Sequence, residues 1–247
     1  GRVVHVETVE ALGPFRTEIA TSFALANALA DRVRNAIAQS RFPIVLAGNC
    51  GTSLGTVAGL GDEPVAVIWL DAHGDFNTTD STTSGFLDGM ALATLTGRAW
   101  TGMAAGVAGH RAVAERRVAL VGGRALDDAE TAMLEHSQIA LVRAERLLRL
   151  GAAAALVPVL DRIREHAGRV YLHIDLDVLD PREAHVNSFA EGGGVPLAMV
   201  REVIAVVAQR FEIVAAAMTA FDPQCDDDGR ATAAALELLS AVADHIA

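Results

Sequence analysis

Cysteine is scarce in this chain of 247 residues: Cys50 and Cys225 are the only two. They form no Cys-x-x-Cys pair and no disulfide framework, which fits a reducing compartment. Positive charge is also short, with 20 Arg and Lys against 31 Asp and Glu and a formal net charge of -11. Nucleic acid and anionic membrane both attract basic surfaces, so neither is expected as a partner. No apolar run reaches the roughly 18 residues of a membrane span, and Gly1-Arg2-Val3-Val4-His5 offers no signal-peptide core. A cytoplasmic location is the expectation. Linkers, charge blocks and repeats are absent as well, so residues 1–247 read as a single domain. The glycine-rich Glu191-Gly192-Gly193-Gly194 lacks the Gly-x-Gly-x-x-Gly order of a nucleotide loop and reads instead as a loop that folds over a site.

Hydrophobic residues make up 51% of the chain, enough to bury a full core. They fall into short β-branched runs at Val3–Val6, Ile44–Leu46, Val65–Leu70, Val118–Val121, Ile139–Val142, Val170–Ile174 and Ile213–Ala216. Helical patterns separate them over Thr17–Gln39 and Thr52–Leu60, from Asp127, up to His166, from Leu197, and up to His245. The alanines between Gly151 and Leu156 look like helix surface. Strands apolar on both faces and alternating with helices indicate a mostly parallel sheet covered on both sides, a three-layer α/β/α sandwich.

In such sheets ligands bind beyond the carboxyl ends of the strands. The polar signals collect there: Gly48-Asn49-Cys50, Asp71 to Asn77, Gly122-Gly123-Arg124, Asp175 to Pro181 and Asp222 to Cys225. Asp71, His73 and Asp75 occupy alternate positions and can reach one point if the backbone stays extended past Leu70; Asp175 and Asp177 alternate in the same way. Four acids gathered at the ends of core strands repel and desolvate one another unless a divalent cation joins them. Carboxylates with an imidazole suit Mn²⁺ better than a thiolate-rich zinc site does. Asp180, just before Pro181, reads as a turn former rather than a ligand. Cys225 beside Asp226-Asp227-Asp228 reads as part of a solvated acidic loop, and His110, His136, His166 and His185 carry no assigned chemistry.

Asp71-Ala72-His73-Gly74-Asp75-Phe76-Asn77-Thr78 and His173-Ile174-Asp175-Leu176-Asp177-Val178-Leu179-Asp180-Pro181 resemble the two metal signatures of the arginase (ureohydrolase) superfamily. Ala47-Gly48-Asn49-Cys50-Gly51-Thr52-Ser53-Leu54-Gly55 resembles an earlier signature of that family. The resemblance implies an arginase-like fold and two Mn²⁺ ions sharing Asp71 and Asp175. Asp75 would complete one shell, and His73 and Asp177 the other. It further implies hydrolysis of a guanidino carbon by metal-activated water, with Asp75 orienting the water and shuttling a proton. Asn77 and Ser84 match positions that hold an amino-acid carboxylate, and Asp127 matches the acid that receives the α-ammonium; Asp127 also reads as a plain helix cap. A homo-oligomer, trimer or hexamer, is implied too.

Three departures from the family pattern bear on substrate and metal. Cys50 replaces a histidine ligand, so the metal position on its side is expected to be weak, softer in preference or empty; a buried apolar cysteine is the plainer reading. Asp88 stands in place of a histidine that shuttles protons, so protonation of the leaving amine must be handled differently. Ala220 stands where arginases carry a glutamate that grips the guanidinium. An N-hydroxyguanidino group is less basic and needs less anionic help. The preferred expectation is therefore a hydrolase of Nω-hydroxy-L-arginine yielding L-ornithine and hydroxyurea. L-Arginine hydrolysis, an arginase-like deacetylase with one Zn²⁺, and a metal-binding protein without turnover are the alternatives.

Overall fold

The run Val-Ala-Val-Ile-Trp-Leu at 65–70 is buried at every position, and this explains why it forms a central strand: no residue of it could face water without cost. The computed structural model describes residues 3–11, 13 and 15–246. In chain order it contains α1 (Glu18–Ala38), β1 (Ile44–Leu46), α2 (Ser53–Gly59), β2 (Val65–Leu70), α3 (Ala91–Leu95), α4 (Thr101–Ala104) and β3 (Val118–Val121). There follow α5 (Asp128–Glu135), β4 (Ala140–Val142), α6 (Ala144–Leu150), α7 (Ala152–Arg164), β5 (Arg169–Asp175), α8 (Leu197–Ala208), β6 (Glu212–Thr219) and α9 (Arg230–Ala243).

The strands make one sheet in the order β1-β6-β5-β2-β3-β4, with every pairing parallel. Alternation along β2 divides the core. Ala66, Ile68 and Leu70 pack with α6, α7, α8 and α9, while Val65, Val67 and Trp69 pack with α1, α2, α3 and α5. The three-layer α/β/α arrangement follows directly. From β2 the chain winds outward to β3 and β4, and from β5 it winds the other way to β6. The seam between β2 and β5 is thus a topological switch point, where an open sheet leaves a crevice at the carboxyl ends of its strands.

Three local expectations are corrected. Val3, Val4 and Val6 form no strand and stand exposed, because a β-branched run has no strand preference without an edge to pair with and a surface to cover. The helix expected up to His166 is two helices, α6 and α7, broken at Gly151 with φ +78. The alanines that follow are not all surface: Ala152 and Ala155, with Leu156, are buried in the core under the sheet. No helix among the described residues is long and apolar enough to cross a membrane.

Candidate metal centre

The register between β2 and β5 pairs Leu70 with Ile174, so the next positions, Asp71 and Asp175, emerge side by side at the switch point. β6 brings Thr219 level with Asp175, and the turn after β1 delivers Cys50. Two triads of ligand atoms result. Those of Cys50, Asp71 and Asp175 lie within 4.8 Å of one another, and so do those of Asp71, His73 and Asp177. Asp71 belongs to both. Asp175 belongs only to the first.

Asp71 and Asp175 are each held by the amide two residues on. Asp71 Oδ1 accepts from the His73 amide at 2.7 Å, and Oδ2 from the Trp69 indole at 2.9 Å. Asp175 Oδ1 accepts from the Asp177 amide at 2.9 Å, and Asp177 Oδ1 from the Ala72 amide at 3.2 Å, which ties the two motifs together. His73 Nδ1 lies 3.3 Å from Asp177 Oδ2 and 3.5 Å from Asp71 Oδ1. Asp75 sits outside both triads. Its φ of +47 ends the extended course assumed from the sequence, yet it is buried close enough to interact with Asp71, Asp88, Asp175 and Asp177.

The electrostatics fit a cation. Burial, then the neighbouring carboxylates, pushes Asp75 and Asp175 well above the ordinary carboxylate range, and burial with Asp177 pushes Asp71 up to about 7. Burial alone would lower His73, but hydrogen bonds to Asp177 and Asp71 raise it to about 11. His73 is the one imidazole in this cluster that takes a counterion's role, and it reaches Asp71 and Asp177 but not Asp175. Divalent cations in the two triads would remove the remaining repulsion, and the oxygen and imidazole donors are of the type such ions accept. Cys50 is the exception: a sulfur donor, buried, with its thiol pushed up by burial and by Asp175.

The other expected site residues fall as follows. Asn77 Nδ2 donates to Asp127 Oδ2 at 2.8 Å, so two members of the amino-acid clamp are adjacent. Asp127 is also the N-cap of α5, accepting from the Glu130 amide at 2.8 Å, as its reading as a helix cap expects. Ser84 stands apart; it is exposed, and its Oγ accepts from the Phe86 amide at 3.1 Å. Asp88 accepts from Asn49 Nδ2 and from the Cys50 and Gly51 amides at 2.8–3.1 Å. Both of its oxygens are engaged in docking the Cys50 turn. Burial raises its carboxyl while those bonds pull the other way. Ala220 adopts φ +63, and its carbonyl accepts from Asn187 Nδ2 at 2.9 Å. Asp180 accepts from Arg182 and from the Gly194 amide and organises its turn, as expected. Gly194 is pinned rather than hinged: a Cβ there would lie 2.5 Å from Leu179 O and Asp180 N.

Several residues that shape this centre had no role assigned from the sequence. Glu130 is buried and accepts from the Phe76 amide at 3.0 Å, while Gly74 leaves the room it needs, since a Cβ at 74 would stand 2.7 Å from Glu130 Oε1. Arg124 donates to the carbonyls of Asp177, Val178, Leu179 and Glu191 at 2.8–3.3 Å, stapling the second acid turn to the glycine-rich loop. Asn187 reaches Asp177 Oδ2 at 3.4 Å. Glu130 does carry a sequence signal, the capping-box spacing from Asp127, whereas no spacing rule marks the roles of Arg124 and Asn187. His173 is different: it and Asp175 alternate on one strand, a signal the sequence does carry.

Comparison with known proteins agrees with this geometry. Residues 4–243 match the arginase family. The arginase of Bacillus caldovelox is 29% identical over 217 residues, covering 87% of this chain and 72% of that protein. An N(omega)-hydroxy-L-arginine amidinohydrolase from Streptomyces lavendulae is 30% identical over 187 residues, covering 74% of this chain and 63% of that one. Among solved structures, the arginase of Bacillus cereus superposes with a TM-score of 0.85 at 28% identity, covering 91% of this chain and 79% of that one. With the two acid turns side by side at the seam of a parallel sheet, and that match running through nearly the whole sequence, the chain belongs to the arginase family of metal-dependent amidinohydrolases.

Proposed function

We propose that this chain hydrolyses Nω-hydroxy-L-arginine to L-ornithine and hydroxyurea, using Mn²⁺ held by Asp71, His73, Asp75, Asp175 and Asp177, with Cys50 as the sulfur ligand of a weaker second position. The observation that carries the substrate choice is Ala220: at the place where the family pattern has a guanidinium-binding glutamate, β6 ends in a methyl group and a left-handed backbone. A site without that anion has lost its preference for a fully charged guanidinium. The similarity to the Streptomyces lavendulae enzyme supports the same choice.

The cations, when bound, supply charge stabilisation and a water ionised at neutral pH. The chain's own residues do the rest. Asn77 and Asp127, joined at 2.8 Å, receive the amino-acid end of the substrate; Ser84, exposed further along the same loop, is the third position of the family's clamp. Asp75, buried beside both triads, orients the attacking water and takes its proton. Oxygen adds to the guanidino carbon, the bond from that carbon to Nδ breaks, and the proton passes to Nδ, so that ornithine leaves as the amine and hydroxyurea keeps the added oxygen. Asp88 acts through Cys50 and holds its turn, accepting from the Cys50 amide through one oxygen and from the Gly51 amide through the other. Family resemblance also points to a homo-oligomer, trimer or hexamer, which light scattering in solution would test.

The deciding experiment compares kcat/KM for Nω-hydroxy-L-arginine and L-arginine at fixed Mn²⁺. The first should be preferred. Preference for L-arginine would favour the second reading, an arginase, which the several arginase relatives support.

A further inference from the structure

A sulfur at position 50 does not stand alone. Cys50 Sγ lies 3.1 Å from His173 Nε2, 3.1 Å from Thr219 Oγ1 and 2.9 Å from Asp175 Oδ2. His173 is fully buried on β5, its ring stacked on Trp69 with centroids 3.7 Å apart, and its Nδ1 lies 2.8 Å from Tyr171 Oη. The imidazole therefore has one orientation. Its far nitrogen is tied to a phenol and its near nitrogen faces the thiol.

An imidazole inside a parallel-sheet core is costly unless both nitrogens are satisfied, and here each has its partner. Tyr171 donating to Nδ1 puts the ring proton on Nε2, which faces Cys50 Sγ at 3.1 Å and Thr219 Oγ1 at 3.3 Å. Trp69 links the same unit to the carboxylate common to both triads, because its indole nitrogen donates to Asp71 while its ring carries His173. We propose that His173, set by Tyr171 and Trp69, is the positioning residue for Cys50, fixing the sulfur toward Asp71 and Asp175 so that the position serves as a metal ligand despite the loss of the usual imidazole. This rests on the reading of Cys50 as a ligand. Metal binding then forms a metal–sulfur bond and releases the thiol proton to solvent. His173 stays outside the shell and donates to the bound sulfur, the kind of supporting contact whose removal weakens metal affinity by about 10- to 100-fold.

Co²⁺ is the probe, because cobalt bound to thiolate shows a charge-transfer absorption that carboxylate and imidazole sites lack. The metal-free full chain is titrated with Co²⁺ and compared with Cys50→Ser, His173→Gln, His173→Leu and Tyr171→Phe. The parent should show the band, Cys50→Ser should lose it, and His173→Gln, which keeps an N–H near the position of Nε2, should retain it. His173→Leu should lose the band or weaken that equivalent at least about tenfold, with the equivalent at Asp71, His73 and Asp177 unchanged. Tyr171→Phe, which removes a single oxygen, should weaken the same equivalent in the same direction and carries the test should the leucine variant not fold. A band of unaltered affinity in His173→Leu, or in Tyr171→Phe where that variant alone folds, overturns the role of His173 while leaving Cys50 a ligand. Absence of the band in the parent overturns the ligand reading itself, and the role of His173 with it.

Discussion

The indole nitrogen of Trp69 donates to Asp71 Oδ2 at 2.9 Å, across two residues of the same strand and its turn, where both side chains are buried. One side chain thus closes the hydrophobic layer under α1 and α2 and orients the carboxylate common to both ligand triads. Replacing Trp69 by Phe keeps most of the apolar bulk but leaves that oxygen without its buried donor. We expect a loss of about 1–3 kcal/mol in the metal-free protein and weaker Mn²⁺ binding by about 10- to 100-fold, read by thermal unfolding and metal titration. Unchanged metal affinity would show that the indole serves packing alone.

Gly74 faces the Glu130 carboxylate so closely that no methyl group fits. Gly74→Ala should force Glu130 away from the Phe76 amide and displace the turn carrying His73 and Asp75, at a cost of about 1–3 kcal/mol. Chemical denaturation would measure it. A neutral result would mean that α5 yields easily and does not buttress the turn.

Ala220 holds a left-handed backbone that glycine adopts without strain. Ala220→Gly should stabilise the chain by up to about 1 kcal/mol. Ala220→Glu, by contrast, should move the ratio of kcat/KM toward L-arginine by about tenfold, the worth of one hydrogen bond to a charged group. A ratio that does not move would separate substrate choice from this position.

How far the sequence could be read depends on which interactions are local. β2 and β5 were legible because their residues are buried on both faces, and the acids that follow them inherit adjacent places from strand register alone. Val3–Val6 misled because strand preference expresses pairing and burial, which a free segment lacks. Asp88 was chemically ambiguous: that the Asn49, Cys50 and Gly51 donors wait for it is a fact of tertiary packing. Of the two readings of Asp127 the helix cap was legible, because capping is local, while its contact with Asn77 fifty residues away is a fact of tertiary packing. His173 could have been found, because alternate residues of a strand share a face and Asp175 was already in view.

The titration of Asp71 gives a signed pH dependence. In the metal-free protein burial and Asp177 push it up to about 7, so between its ordinary value and that point the folded chain binds more protons than the unfolded chain. Stability contributed there is present at low pH and is lost as pH rises through about 7. His173 acts oppositely: burial lowers it to about 3, so its contribution is lost as pH falls from about 6.5 toward that value. The difference in Tm between the metal-loaded and metal-free forms reports the groups for which metal and protons compete. That difference should widen from about pH 5 to about pH 8 as Mn²⁺ ceases to compete with protons. A constant difference would place Asp71 outside the metal site.

The most direct test is ornithine release from Nω-hydroxy-L-arginine by the metal-free chain as Mn²⁺ is added back, with bound metal counted in the same samples. Turnover should be absent without metal, should rise with the metal bound, and should be lost in Asp71→Asn, which damages both triads together. Turnover that persists without metal, or that survives Asp71→Asn at full rate, would contradict a cation-dependent centre at the seam of β2 and β5.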